Sequence, residues 1–126
     1  MFERLLLCDY AVADLTAWNA NVFYELGVRH AVKPRTTLPI FAEGHAPPFD
    51  LSLIRCLPYA LGAQNALGAA ELAKLRSDVG ERLVALIAEA ARGSVDSPVF
   101  QLVGDLRAPE LDRERTDVFR DRVRYE

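Results

Sequence analysis

Blocks of apolar residues alternate with polar stretches along the chain, and their spacing predicts helices and short strands in turn. Residues 1–8 carry an apolar helical face, and the short apolar run 10–15 is typical of a buried strand. Across residues 21–32 apolar side chains recur at helical spacing, which predicts a second helix. Pro34 follows it at a position where proline commonly stands beyond a helix end.

Two further strands and a long helix are predicted in the middle of the chain. Residues 36–42 and 55–59 have strand-like composition, but each contains a proline. Because proline cannot donate to a sheet ladder, Pro39 indicates an edge strand or a strand shorter than its pattern. Residues 69–92 trace one apolar stripe at helical spacing, and Gly93 is the expected terminator.

This alternation of strands and helices predicts an α/β fold with a parallel sheet and right-handed crossovers. We assign residues 1–95 to the α/β domain. Residues 96–126 are interpreted as a charged C-terminal extension or linker towards a following region. Within it, charges of alternating sign across 110–126 predict a solvated helix with a thin apolar seam.

Composition and charge narrow the classes of function. A chain of 126 residues, 51% of them hydrophobic, is the size of one domain with a real core. A net charge of -3 and a pI of about 5.4 provide no electrostatic footprint for nucleic acid or for anionic membrane. The apolar runs are too short for a secretory signal or a membrane span, so we expect a cytoplasmic protein.

Cysteine, histidine and glycine spacing argues against several kinds of site. Cys8 and Cys56 each lie in an apolar stretch and are interpreted as reduced, buried thiols. His30 and His45 have no partner at metal-ligand spacing, so no metal site is predicted, and no cofactor is expected. Neither G-x-x-x-x-G-K nor G-x-G-x-x-G occurs, which argues against a phosphate-binding NTPase.

The best candidate site is the junction between the first strand and the second helix. Ligands of open α/β sheets bind outside the carboxyl ends of strands, and Asp14 lies at such an end. Four candidates for substrate binding follow it: Thr16, Trp18, Asn19 and Asn21. Glu25 shares a helix face with Asn21 at i, i+4 spacing, so the two carboxylates are expected to converge on one crevice. Such a pair suits cleavage of an N-glycosidic bond, in which one carboxylate stabilises or attacks C1′ and the other assists the departing base.

The same segment carries a family resemblance. Residues 13–31, ADLTAWNANVFYELGVRHA, resemble the ADLT-x-x-N-x-N-V-F-Y-E-L-G-x-x-H-A signature of nucleoside 2-deoxyribosyltransferase-like domains, which are relatives of the TIR fold. Within that group the closest resemblance is to the deoxyribohydrolase-like domain of apoptosis-signal-regulating MAP kinase kinase kinases and its bacterial counterparts. The resemblance implies a Rossmann-like (flavodoxin-like) sheet, with Glu25 as nucleophile and Asp14 at the base or sugar. It also implies that Asn19 and Asn21 line the pocket.

The resemblance carries further expectations about architecture and partners. Domains of this family open with a strand, a helix and a second strand, and this chain is expected to lack that unit. Residues 96–102 and 116–120 also resemble the bacterial counterparts, in which a helical-repeat region follows. A nucleoside, a nucleotide or NAD is the implied ligand, and a homo-oligomer is the implied assembly.

Each candidate residue also has a purely structural interpretation. Glu25 is interpretable as a solvated helix carboxylate, and Asp14 as a loop residue bonded to its own backbone. Asn19 and Asn21 are natural helix caps, and Trp18 is a natural packing residue. The sequence therefore leaves two classes of function open: an N-glycosidic bond hydrolase or deoxyribosyltransferase, and a non-catalytic module that senses a nucleotide or binds proteins in stress signalling.

Overall fold

Three short parallel strands organise the part of the chain that the computed structural model describes, residues 2–45 and 53–111. The strands, in their order across the sheet, are β1 (Ala11–Asp14), β2 (Thr37–Ala42) and β3 (Leu57–Tyr59). Both pairings are parallel, with Ala11 opposite Thr37 and Ile40 opposite Leu57 at their starts. The predicted α/β fold with a parallel sheet is confirmed at this level.

Three helices lie near the positions that the apolar pattern predicts: α1 (Phe2–Leu7), α2 (Ala20–Val32) and α3 (Ala69–Ala91). A fourth, α4 (Pro98–Leu102), is not predicted by the pattern and contacts α2. Asn19 is the N-cap of α2, because its side-chain oxygen accepts a hydrogen bond from the backbone N–H of Asn21 at 2.9 Å. Gly93 follows α3 with a φ of 88°, a left-handed conformation that glycine adopts without steric cost.

The two faces of the sheet are covered by different helices. On one face, α3 packs on β2 and β3, where Leu38, Ile40 and Tyr59 are buried together with Leu86 of α3. On the other face, α2 packs on β1 through a second cluster around Leu15 and Leu26. Burying a leucine side chain stabilises a fold by about 1.5–3 kcal/mol, so these two clusters hold the strands between the helices.

Pro39 lies in the central strand of the described sheet, so the expectation of an edge position is wrong. The backbone N–H of Glu43 donates to the carbonyl of Tyr59 at 2.9 Å, which means that odd-numbered residues of β2 face β3. Pairing with β3 begins only at Ile40, so the nitrogen of Pro39 lies before the ladder and no bond is lost. In β3 the same alternation turns the nitrogen of Pro58 away from β2.

A buried arginine ties the amino-terminal helix to the sheet. Arg29 is 0% exposed, and its Nη1 donates to the carbonyls of Leu5 and Cys8 at 2.5 and 3.1 Å. Its Nε donates to Thr37 Oγ1 at 2.9 Å. Burial is the main cause that lowers the pKa of this guanidinium. Arg29 therefore joins α1, α2 and the start of β2 through one side chain.

The segment after α3 returns to the domain before α4 begins. Asp96 N–H donates to the carbonyl of Pro34 at 2.9 Å, and the buried Ser97 Oγ donates to the carbonyl of His30 at 2.8 Å. The first residues of the predicted extension thus contact α2 and the loop that follows it. Most of the predicted charged helix, residues 112–126, lies outside the described residues. None of the helices described is long and apolar enough to cross a membrane.

Candidate functional site

A polar network joins the carboxyl ends of all three strands. Asp14, the last residue of β1, accepts two hydrogen bonds at Oδ1, from the backbone N–H and the hydroxyl of Thr16 at 2.9 and 2.6 Å. Its Oδ2 accepts a hydrogen bond from the Tyr59 hydroxyl at 2.8 Å. Thr16 Oγ1 also accepts from the backbone N–H of Ala42, the last residue of β2, at 2.8 Å. The carboxylate is therefore oriented directly by Thr16 and Tyr59, and the end of β2 contributes through its bond to Thr16.

Tyr59 is a member of this network that sequence reasoning missed. It is the last residue of β3, and its ring is 8% exposed within the cluster beneath α3. Burial is the main cause that raises the pKa of the phenol, so the hydroxyl remains a donor near neutral pH. Asp14 is predicted as a site residue because it is a polar residue at the carboxyl end of a strand. Tyr59 meets the same criterion in the sequence, at the end of β3.

An open pocket of about 490 Å³ lies beside this network. Its polar lining consists of Asp14, Thr16, Asn19, His45, Tyr59 and Asn65. Its apolar lining consists of Ala17, Val22, Leu61 and Leu67. A concave, largely apolar surface with a few convergent polar groups is the usual form of a small-molecule site.

Three of the four non-glycine residues with a positive φ in the described chain lie in the two loops near this pocket, and the fourth, Thr36, precedes β2. Trp18, in the loop after β1, has a φ of 50°, and Gln64 and Asn65, in the loop after β3, have φ values of 59° and 54°. Residues other than glycine rarely adopt this left-handed region, which costs on the order of 1–3 kcal/mol each. Such strain is found most often at binding and catalytic sites, and here both strained loops flank Asp14.

Glu25 borders a second, smaller pocket of about 180 Å³ between β1 and α2. Asp14 and Val22 line both pockets, whereas Glu25 lines only the smaller one. Glu25 is half-buried and forms no hydrogen bond with another residue in the described part of the chain. Asp14 and Glu25 therefore line one pocket together, and Asp14 also lines the larger one.

The remaining predicted residues divide between the pocket and the surface. Thr16 and Asn19 line the larger pocket, Asn19 while also capping α2. Trp18 is 54% exposed and Asn21 is exposed, and neither lines either pocket. The structure thus brings Asp14, Thr16 and Asn19 together and leaves Trp18 and Asn21 outside.

Residues 2–45 and 53–111 contain no cluster of side chains suited to bind a metal ion, and neither cysteine there forms a disulfide. No group of three or more His, Cys, Asp or Glu side chains there could hold a metal ion. Cys8 and Cys56 are both free and partly buried, and burial raises the pKa of the Cys56 thiol.

Comparison with family models, with curated proteins and with solved structures finds no match for this chain. The resemblance of residues 13–31 to deoxyribosyltransferase-like domains therefore stays a prediction.

Proposed function

We propose that this chain is a Rossmann-like domain that cleaves or transfers at the N-glycosidic bond of a nucleoside, a nucleotide or NAD. The observation that carries the proposal is the position of Asp14. Its carboxylate is oriented by Thr16 and Tyr59, the residue lines both a large and a small pocket, and Glu25 borders the small one. Two carboxylates on one crevice suit a reaction that passes through an oxocarbenium-like centre.

The two carboxylates differ in a way that suggests separate roles. Asp14 accepts three hydrogen bonds, so its orientation is fixed and it is suited to hold the sugar or the base. Glu25 forms none within the described residues, so its oxygens are free to attack C1′. The larger pocket, with Thr16 and Asn19 in its wall, has room for the base.

Free thiols at Cys8 and Cys56 fit a reducing compartment, and we propose a cytoplasmic location.

The test compares base release by Glu25→Gln with release by the parent protein. A panel of deoxynucleosides, nucleotides and NAD is incubated with each protein, and the free base is quantified by chromatography. Glu81→Gln, which changes an exposed glutamate of α3, is the matched control. We expect release by the parent and the control and none by Glu25→Gln. Release that survives in Glu25→Gln would show that this carboxylate is not the nucleophile.

A non-catalytic nucleotide-binding or protein-binding module is the second candidate. The observation that favours it is that both oxygens of Asp14 are already engaged by the protein's own groups, although the residue is exposed. A network of this kind is also a way to join three strand ends without any chemistry. This candidate predicts that a nucleotide raises the melting temperature while no base is released. A melting temperature that no nucleotide changes, in a strictly monomeric protein, would count against it.

A further inference from the structure

One buried carboxylate oxygen lacks a partner, and it lies at the amino end of the strands, away from Asp14. Asp96 Oδ2 accepts a hydrogen bond from the backbone N–H of Thr37, the first residue of β2, at 2.9 Å. Asp96 Oδ1 is buried and has no hydrogen-bond partner within the described residues. Leaving such an acceptor unsatisfied costs about 1–3 kcal/mol, so a donor from water or from a ligand is favourable there.

A cavity of about 190 Å³ adjoins this carboxylate. A dry cavity of about 150 Å³ is already large enough to hold benzene, so the space exceeds what a single water molecule needs. Its apolar wall is formed by Leu38, Pro39, Leu53, Ile54, Leu86 and Val95. Leu53, in this wall, is 55% exposed, which leaves apolar surface for a ligand to cover.

Some charged side chains of the cavity form an ion pair and others do not. Arg82 Nη1 lies 3.2 Å from Glu89 Oε1, so these two charges compensate each other. Arg55 is exposed and forms no ion pair or hydrogen bond within the described part of the chain. The cavity therefore contains one carboxylate oxygen without a hydrogen-bond partner, Asp96 Oδ1, and one guanidinium without a partner in the described residues, that of Arg55. Burial raises the pKa of Asp96, while the hydrogen bond from the Thr37 N–H and the nearby charge of Arg29 act in the opposite direction.

We propose that this cavity binds a small zwitterion, an α-amino acid with an apolar side chain. The ammonium group donates to Asp96 Oδ1, the carboxylate accepts from the Arg55 guanidinium, and the side chain packs on Leu86 and its apolar neighbours. Charge-assisted hydrogen bonds to both ends of the ligand would supply affinity and exclude amines or acids that carry only one charge. This cavity shares no lining residue with the larger pocket beside Asp14 and only Thr37 with the smaller one, and the proposal does not depend on the proposed glycosidic chemistry.

The first experiment measures ligand binding to the whole chain by thermal melting and by isothermal titration calorimetry. The ligands are the common L-amino acids, together with N-acetyl-L-leucine and L-leucinamide, each of which lacks one of the two charges. We expect an apolar amino acid such as L-leucine to raise the melting temperature and the two analogues to bind at least about tenfold more weakly. Absence of binding by every apolar amino acid, or equal binding by L-leucine and both analogues, would overturn the proposal.

Two variants connect binding to the residues. Asp96→Asn keeps an acceptor for the Thr37 N–H but turns amide donors towards the ammonium, and Arg55→Gln removes the guanidinium from an exposed position. We expect each change to raise the Kd by about tenfold or more. Arg92→Gln, an exposed arginine outside the cavity, is the control. Should Asp96→Asn fail to fold, Arg55→Gln still decides, because unchanged affinity in that variant contradicts the proposal.

Discussion

Replacement of Tyr59 by phenylalanine tests the network at the strand ends most specifically. The change keeps the buried ring and removes one hydroxyl, which donates to Asp14 Oδ2 at 2.8 Å and lies 3.1 Å from Thr16 Oγ1. A hydrogen bond to a charged group contributes about 1.5–3 kcal/mol where it is buried. Because Asp14 is exposed, water replaces part of the lost bond, and we expect a loss of roughly 1 kcal/mol in the free energy of unfolding. For a chain of this length that corresponds to a melting temperature lower by about 3–6 °C.

The same variant should affect the proposed reaction more than it affects stability. Without the Tyr59 hydroxyl, Asp14 keeps only the bonds from Thr16, and its carboxylate can turn away from the substrate. We expect kcat/KM for base release to fall by about tenfold, which corresponds to about 1.4 kcal/mol of transition-state stabilisation.

The assays for this variant are urea unfolding and base release. Tyr10→Phe, which removes a hydroxyl at a position that is 52% exposed, is the control and should change stability by less than about 0.5 kcal/mol. If Tyr59→Phe and Tyr10→Phe were equally stable and equally active, the Tyr59 hydroxyl would have no role in orienting Asp14.

Further predictions concern the buried polar residues that hold the domain together. Arg29→Met should lower the free energy of unfolding in urea by about 3 kcal/mol, because it leaves several buried acceptors without a donor; a change below about 1 kcal/mol would contradict this. Ser97→Ala should cost about 1–2 kcal/mol in the same assay, since the carbonyl of His30 loses its donor, and an unchanged midpoint would argue against that contact. Burial lowers the pKa of His30 from 6.5 to about 4, so the folded state holds its neutral form while the unfolded state takes up a proton. His30 therefore does not reduce the free energy of unfolding above pH 6.5, and it lowers that free energy by up to about 3 kcal/mol as the pH decreases towards 4. The raised pKa of Asp96 acts in the opposite direction, because it stabilises the folded state as the pH falls. A His30→Gln variant with the same pH dependence of unfolding as the parent would show that His30 is not the cause.

The strand and the helix that border the site are predictable from local sequence. The set of residues that meet in the site is predictable only in part. The position of Asp14 is predictable because an apolar run ends there, and Asn19 is predictable as a cap because asparagine accepts first-turn N–H groups well. The bond between Asp14 and Tyr59 is not predictable in this way, since it spans 45 positions in the chain and depends on the register of β2 with both neighbours.

Helical spacing also left the rotation of α2 on the sheet undetermined. Positions i and i+4 share a helix face, yet Asn21 is exposed while Glu25 is half-buried against β1. Which edge of that face meets the sheet is decided by packing of Leu26 in the cluster with Leu15.

The position of Pro39 in the sheet is not predictable from the sequence for a related reason. Whether a proline removes a ladder bond depends on where the neighbouring strand begins, and a single strand's composition does not contain that information.

Base release by Glu25→Gln, measured beside the parent protein, decides whether Glu25 and Asp14 act together on an N-glycosidic bond. We expect the parent to release free base from at least one nucleoside, nucleotide or NAD. We expect no release by Glu25→Gln, although that variant has the melting temperature of the parent. Base release by a folded Glu25→Gln variant, or no release by the folded parent from any substrate, would show that the two carboxylates do not perform this reaction.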